Sequence, residues 1–473
     1  MRRRDALKRL GALAGAGAAS RFLPGCGDNL RREGGADPDA GGSPDAARPQ
    51  GITTMVVVMM ENRSYDHYLG ARSLLEALPG DGLRAEMFNP EPGGKPVSIF
   101  RETDHCIPDP PHGWDSSRVQ LNAGVNDGFL RAYRDSQGDA VPPHVMGHFG
   151  REDLPISWAI ADQHASCDAW FSSVLGPTWP NRMYLHSGQS GGLSTNDLPA
   201  GGTLDWPSVH HRLNDAGVPW SYYYQNLPFV PLWRDLPVEG YVKRFMSDFF
   251  EEAAAGTLPP ACFIDPAFYY NDDHPPQHPI LGQAFLASVY AALAASPQWN
   301  NVLLVVTYDE AGGFFDHVAP PLAADDRAKM GFDQLGFRVP TLVAGPYVKR
   351  GHVSSVVRDH SSVIAHLTGM FGLEPLTARS SAAADLSELI DQERLDAVDP
   401  APPAELPAVE FDESMIEEKC AGTERREPTE LEALADTGFF ARGLDRRGEA
   451  RDVMYGIGEA LDRLNAGRIR RGR

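Results

Sequence analysis

Two apolar stretches of this chain end directly in acidic residues. Glu61 follows the run 52–60, and Asp309 and Glu310 follow the run 301–308. A carboxylate at the end of a buried strand costs desolvation energy unless a cation or a hydrogen-bond network compensates it. Each residue alone could simply cap the next helix, but the three together predict a site for a divalent metal ion.

A hydroxyl that could act as a nucleophile lies in the segment 176–182, which reads Gly-Pro-Thr-Trp-Pro-Asn-Arg. Thr178 stands between two prolines, just before a helical pattern that starts at Met183. Helix N-termini attract anions, and a hydroxyl there can be deprotonated when a metal ion also binds it. Taken alone, Thr178 would equally suit an ordinary helix N-cap.

Two proline-rich loops carry histidines that could take part in the same chemistry. His112 lies in the segment 109–114 and His274 in 271–279, while His317 comes shortly after the second acidic strand end. A histidine in a rigid loop can donate a hydrogen bond to a phosphoryl oxygen or protonate a leaving oxygen. A single loop histidine is more often exposed or bonded to the backbone, so these three are candidates rather than assignments.

These side chains need a scaffold that brings strand ends together. The runs 52–60, 301–308 and 339–344 are continuous and rich in β-branched residues, which is typical of central strands covered on both faces. Helical stretches such as 282–295 lie between them, and the alternation predicts an α/β sandwich around a mostly parallel sheet flanked by helices. Ligands of open α/β sheets bind beyond the carboxyl ends of the strands, where the acidic residues lie.

The segment 61–70, E-N-R-S-Y-D-H-Y-L-G, closely resembles the E-N-R-S-F-D-H-Y-F-G motif of the bacterial phosphoesterase family. That family holds non-specific phospholipases C and acid phosphatases. Further blocks resemble it in the same order, at 171–188, 272–276, 307–321 and 336–373. The resemblance implies an alkaline-phosphatase-like fold with one divalent metal ion and a hydroxyl nucleophile.

Individual roles follow from the same resemblance. It implies that five residues surround the metal ion: Glu61, Asn62, Thr178, Asp309 and Glu310. It implies phosphoryl contacts from Asn62, His112 and His274. Two further histidines match family positions: His317 as a further catalytic residue and His360 as a further phosphoryl contact. The ion itself stays open among Ca, Mg, Mn, Zn and Fe, since oxygen ligands favour the first three and a mixed site also accepts the others.

These roles predict a metal-dependent phosphoric ester hydrolase with a threonine nucleophile, most simply a phosphodiesterase of the phospholipase C type. The alternatives are an acid phosphatase and a non-catalytic surface-anchored protein on the same fold. A sulfatase is disfavoured, because those enzymes convert a Cys or Ser to formylglycine and Thr178 cannot be converted. A phospholipase also needs an apolar rim, and we expect some aromatic residues of the middle of the chain to supply it, from among Trp206, Trp220, Tyr222, Tyr223, Tyr224 and Trp233.

The N-terminus predicts export. Residues 1–25 carry three consecutive arginines and a mild Gly/Ala stretch, as in a twin-arginine signal peptide, and Cys26 follows an imperfect lipoprotein box. The alternative is an ordinary basic N-terminus with a chance cysteine. We therefore expect a flexible tether at 26–50, with a lipid anchor if Cys26 is modified, a catalytic domain at 51–378, and an acidic, helix-prone extension at 379–473. The predicted location is the periplasm or the cell surface as a lipoprotein, or the secreted fraction.

Charge and cysteine content restrict the partners. The formal net charge of -21 makes the surface repel phosphate backbones, which argues against a nucleic-acid partner. No stretch approaches the ~20 apolar residues of a membrane span. The expected partner is a phosphate ester or phospholipid substrate. The cysteines beyond the predicted signal allow two disulfides in three pairings: Cys106, Cys167, Cys262 and Cys420.

Overall fold

A computed structural model describes residues 51–197, 204–237, 239–268, 270–417 and 446–471. Its centre is an eight-stranded sheet in the order β12-β6-β11-β10-β1-β9-β7-β8. The strands of that sheet are β1 (Thr54–Met60), β6 (Ala165–Cys167), β7 (Trp220–Tyr224), β8 (Val242–Arg244), β9 (Ala261–Ile264), β10 (Val302–Tyr308), β11 (Thr341–Ala344) and β12 (His352–Ser354). The six remaining strands form small two-stranded sheets: β2 (Phe88–Pro90), β3 (Pro96–Ser98), β4 (Phe100–Arg101), β5 (Gly147–His148), β13 (Val409–Asp412) and β14 (Gly467–Arg470).

The central sheet is parallel except for β11, which runs antiparallel to both of its neighbours. Every residue of β1 and of β10 is buried, which agrees with their uninterrupted apolar sequences. The predicted α/β class with a mostly parallel sheet is therefore confirmed. The predicted runs start one or two residues before each strand, and they end at the residues where the strands end.

Helices flank the sheet. Their bounds are α1 (Ala71–Glu76), α2 (Trp114–Leu121), α3 (Phe129–Gln137), α4 (Pro155–Gln163), α5 (Thr178–Ser187), α6 (Val209–Asp215), α7 (Phe250–Ala255), α8 (Pro279–Ala295), α9 (Ser361–Phe371), α10 (Ala378–Ala382), α11 (Gln392–Asp396), α12 (Glu413–Glu417) and α13 (Arg446–Arg463). The long apolar α8 packs against α4, α7 and α13, while α5 packs against α9. No helix of the described ranges is long and apolar enough to cross a membrane.

Of the six aromatic residues from which some were expected at the mouth of the site, five belong to the core. Trp220, Tyr222, Tyr223, Tyr224 and Trp233 are each at most 5% exposed. Residues 220–224 form β7, an inner strand of the sheet, so these side chains lie between the sheet and its covering layers. Trp206 is half-buried and donates a hydrogen bond to Ser187 Oγ.

The cysteines also differ from expectation. Cys106 is disulfide-bonded, whereas Cys167 and Cys262 carry free, buried thiols. Cys167 ends β6 and Cys262 lies in β9, four strand positions away, or about 19 Å at the usual strand spacing. A disulfide cannot span that distance, which excludes the pairing of Cys167 with Cys262 from the pairings that the sequence leaves open.

The extension after the catalytic segment contacts the domain directly. Helix α13 packs on α8, and its Met454 sulfur accepts a hydrogen bond from Asn271 Nδ2 at 3.2 Å. Several earlier predictions lie outside the described residues. These are the signal peptide at 1–25, the tether at 26–50 with Cys26, and Cys420.

Candidate active site

The register of two parallel strands places the acidic residues side by side. Met60 of β1 lies opposite Tyr308 of β10, so Glu61 and Asp309 emerge together at the carboxyl edge of the sheet. Asp309 Oδ1 accepts hydrogen bonds from the backbone N–H groups of Asn62, at 2.9 Å, and Glu310, at 2.7 Å. These bonds hold the two strand ends against each other.

Two glycines after Glu310 allow the backbone of this loop to approach neighbouring segments closely. Gly312 has a φ of 62°, and a Cβ there would lie 2.0 Å from the Asn62 carbonyl oxygen. Gly313 has a φ of 74°, and its Cβ would lie 2.6 Å from the Pro111 carbonyl oxygen. Only glycine allows both the backbone conformation and the approach. The glycine pair therefore brings the acidic loop against both Asn62 and the loop of His112.

Thr178 is the first residue of α5, and a side-chain clamp fixes the turn before it. Asn181 accepts the N–H of Val174 at 2.9 Å and donates to the carbonyl oxygens of Val174, Gly176 and Pro177. The Thr178 hydroxyl thus lies at the positive end of a ten-residue helix, where developing negative charge is stabilised.

Arg182 joins this helix to the acidic edge, and the sequence analysis assigned it no role. It is fully buried, with ion pairs to Glu61 at 2.6 Å and to Asp265 at 2.9 Å, and a bond to the Met59 carbonyl at 3.1 Å. Its position four residues after Thr178 places the two on the same face of α5. The spacing of four residues from Thr178 is a sequence signal from which a role for Arg182 could have been predicted.

Four buried oxygen atoms of the predicted metal ligands have no hydrogen-bond partner among the described residues. They are Asn62 Oδ1, Thr178 Oγ1, Asp309 Oδ2 and Glu310 Oε1. Burial also raises the pKa of Glu61, Asp309 and Glu310, and for Glu61 and Glu310 the neighbouring Asp309 charge adds to the rise. A hard divalent cation would satisfy these oxygens and lower the cost of ionising the carboxylates, so the donor set fits such an ion.

Two of the predicted histidines join the same edge. His112 lies 3.3 Å from Asn62 Nδ2 through Nε2, and 3.7 Å from Glu310 Oε1. Its Nδ1 lies 2.7 Å from the Pro110 carbonyl, so Nδ1 carries a proton and donates to that oxygen. His274 lies edge-on to His112, with ring centroids 5.8 Å apart. Both rings are therefore near the unpartnered oxygens.

His317 and His360 have other partners. His317 faces two carboxylates, Asp66 at 2.7 Å and Asp81 at 3.1 Å, beside Arg338. His360 donates from Nε2 to the Asp309 carbonyl at 2.7 Å. Burial lowers the pKa of His360 to about 4, so this ring stays neutral. The structure thus places His360 against the backbone of Asp309, and it places His317 in a separate acidic cluster.

Two groups of described residues gather metal-type ligand atoms within 4.8 Å of one another. One is Asp109, His112 and His274, and the other is Asp66, Asp316 and His317. Arg338 already pairs with both aspartates of the second group. The carboxylates of Glu61, Asp309 and Glu310 do not form such a group among the described residues, so an ion bound by them would need further ligands.

An α/β sheet with carboxylates, a hydroxyl and two histidines at its carboxyl edge has the groups needed for cleaving an anionic ester. The Phosphoesterase family model matches residues 52–374, most of the chain. Non-specific phospholipase C6 of Arabidopsis thaliana is 32% identical over 72% of this chain and 72% of its own. Phospholipase C A of Mycobacterium tuberculosis is 29% identical over 79% of this chain and 81% of its own.

The chain belongs to the Phosphoesterase family and is a hydrolase that acts on phosphoric ester bonds. Among solved structures, a protein of the alkaline phosphatase superfamily from Vibrio parahaemolyticus aligns over 82% of this chain and 79% of its own. The identity is 9% and the TM-score 0.37.

Proposed function

We propose that this hydrolase is a metal-dependent phosphodiesterase of the phospholipase C type, with Thr178 as its nucleophile. The observation that carries the proposal is the set of buried oxygens without partners at Asn62, Thr178, Asp309 and Glu310. Buried polar atoms are normally hydrogen-bonded, and each exception calls for a ligand or a function. In this proposal, one divalent cation would contact all four.

The proposed reaction uses these groups in two steps. The Thr178 oxygen attacks phosphorus in line, an O–P bond forms, and the bond from phosphorus to the alcohol breaks. The alcohol oxygen leaves with the bonding electrons and takes up a proton. Water then cleaves the phosphothreonine ester and restores the hydroxyl. A bound divalent cation supplies a lowered hydroxyl pKa and neutralises charge on the phosphoryl oxygens.

The chain's own residues prepare this step. Asn181 and the start of α5 orient the Thr178 hydroxyl. His112 and His274 are the histidines placed to donate to phosphoryl oxygens or to the leaving oxygen. For His360 we propose a positioning role, because its Nε2 holds the Asp309 backbone. For His317 no described contact supports a catalytic role, so its predicted function stays a prediction.

The names of the relatives favour a phospholipid substrate, and an acid phosphatase is the second candidate. Burial of Trp220, Tyr222 and Trp233 removes much of the expected apolar rim, which favours smaller soluble esters. The metal ligands we propose are all oxygen atoms, so Ca, Mg and Mn suit the site better than Zn or Fe. We further propose export through the twin-arginine signal and anchoring at Cys26.

A turnover panel tests these proposals. Phosphatidylcholine, a soluble phosphodiester and a phosphomonoester are offered to the same preparation, and its metal content is measured in parallel. Cleavage of both diesters with about one divalent ion per chain is the expected result. Efficient phosphate release from the monoester without any diester cleavage would decide for the acid phosphatase.

A further inference from the structure

Two large apolar side chains project into solvent from one loop close to the candidate active site. Leu322 is 68% exposed and Met330 is 60% exposed. They belong to the segment 322–334, here called the rim loop. Its ends pair through an antiparallel bridge between Leu322 and Gln334 and a bond from Ala323 N–H to the Asp333 carbonyl at 2.8 Å. Its tip is a short 3₁₀ helix, Ala328–Met330.

The rim loop is fixed from behind. The buried Arg379 donates to the Ala324 carbonyl at 2.7 Å and to the Phe332 carbonyl at 2.6 Å, and pairs with Asp325 at 3.2 Å. The loop is therefore held by the core while Leu322 and Met330 stay in water. Exposing apolar side chains on an anchored loop costs free energy, and such exposure next to a site commonly marks a contact surface.

The same loop touches the segments that carry Thr178 and His112. The Gln334 carbonyl accepts the Leu175 N–H at 3.2 Å. Trp114, two residues after His112, packs on Phe332 with ring centroids 5.0 Å apart. The Trp114 ring also packs against Gly176, because a Cβ at that position would lie 3.0 Å from the ring. The rim loop thus borders the edge of the sheet where the ester would be cleaved.

Cations accompany the apolar residues on this side. Lys329 is exposed beside Met330, and the Arg118 guanidinium stacks 3.5 Å from the Trp114 ring centroid. Two of the three acidic residues of the loop are engaged with the protein. Asp325 accepts the Tyr184 hydroxyl at 2.6 Å, and Asp326 accepts the Ala378 N–H at 3.2 Å. Exposed apolar tips with adjacent cations complement a lipid surface, which offers acyl chains below a layer of phosphates.

We propose that the rim loop binds the surface of phosphatidylcholine membranes by inserting Leu322 and Met330, with Lys329 at the phosphate level. This proposal rests on the proposed phospholipase function, since it explains how the site reaches a lipid that stays in its bilayer. The occupant is a bilayer rather than a protein, because the loop contacts the segments that carry Thr178 and His112, the groups that a phosphoryl headgroup must reach.

The test compares the double variant Leu322→Ser/Met330→Ser with the control Val398→Ser in the full chain. Val398 is also exposed, at 44%, but it lies near Ala401, whose carbonyl accepts Trp299 Nε1 before β10, at the opposite edge of the sheet. Partitioning onto phosphatidylcholine vesicles is measured by rapid energy transfer to a labelled lipid. Turnover is measured separately on vesicles and on a soluble phosphodiester.

The double variant should lose vesicle binding by roughly tenfold for each side chain, as expected for partial burial of Leu and Met. Its vesicle turnover should fall in proportion, while soluble-diester turnover and unfolding temperature stay unchanged. Unchanged vesicle binding overturns the proposal, and so does a double variant that turns a dimer into a monomer in sedimentation. If the wild type binds vesicles through this loop but cleaves no diester, the proposed function fails and the membrane contact stands.

Discussion

Replacing Arg182 by methionine tests how much this buried arginine stabilises the two acidic side chains that it contacts beside the candidate site. Arg182 is fully buried and lies between Glu61, at 2.6 Å, and Asp265, at 2.9 Å. Its guanidinium also lies 4.8 Å from the Phe268 ring centroid. Methionine keeps much of the side-chain volume but removes the charge and every hydrogen bond. The change therefore isolates the electrostatic role of Arg182.

The expected cost follows from the two carboxylates that remain. Breaking a buried ion pair by removing one partner typically costs about 3–5 kcal/mol, because the other charge stays buried without compensation. Both Glu61 and Asp265 already have a raised pKa caused by burial, which Arg182 counteracts. Without Arg182 we expect a loss of about 3–5 kcal/mol in the free energy of unfolding when metal is chelated.

A divalent ion beside Glu61 would replace part of the missing positive charge. Saturating Mg or Ca should therefore recover part of the stability lost by Arg182→Met, as measured by urea unfolding with chelator and with metal. The matched control is Arg338→Met, which removes an equally buried arginine paired with Asp66 at 3.1 Å and Asp316 at 2.8 Å. Equal losses in both variants with and without metal, or a loss below about 1 kcal/mol for Arg182→Met, would refute the reasoning.

Three further predictions concern single residues. Thr178→Ala should abolish turnover in a steady-state assay. It should not lower the free energy of unfolding, since Thr178 Oγ1 has no hydrogen-bond partner among the described residues. Thr178→Ser should restore some activity, and an active alanine variant would contradict this prediction. Asp309→Asn should lower the metal content found by elemental analysis, whereas Asp316→Asn, a buried carboxylate bonded to Arg338, should not; the opposite pattern would move the ion to the other acidic group. Burial lowers the pKa of His317, but its hydrogen bond to Asp66 and the charges of Asp66 and Asp316 outweigh this, so the net pKa is raised above 6.5. The stability that His317 adds over His317→Gln should be complete below pH 6.5 and lost as the pH rises through the raised value; an advantage that grows with pH in urea titrations would show the sign to be wrong.

Local patterns account for what could be predicted from the sequence. The strands at 54–60 and 302–308 are fully buried, and an unbroken apolar run is the direct signature of that environment. The acidic residues after them were placed at the carboxyl edge by a general property of parallel sheets. The helix predicted after the proline-bounded turn is present, but it begins at Thr178 rather than at Met183.

The features that could not be predicted from the sequence depend on contacts between residues far apart in the chain. Arg182 meets Asp265 across 83 residues, and His360 meets the Asp309 carbonyl across 51. No local pattern indicates such partners. The aromatic segment 220–224 is followed directly by Gln225 and Asn226, and only the strand order reveals that it is an inner strand. The free thiols of Cys167 and Cys262 depend on the same strand order.

Trapping the covalent intermediate tests the central claim most directly. The protein is mixed with a phosphodiester, quenched in acid within one turnover, and digested, and the peptide that contains Thr178 is analysed by mass spectrometry. We predict that Thr178 carries the phosphoryl group of the substrate together with its remaining alcohol, and that Thr178→Ala shows no adduct. Rapid turnover with no adduct on Thr178 at any quench time, or with an adduct on another residue, would contradict the account.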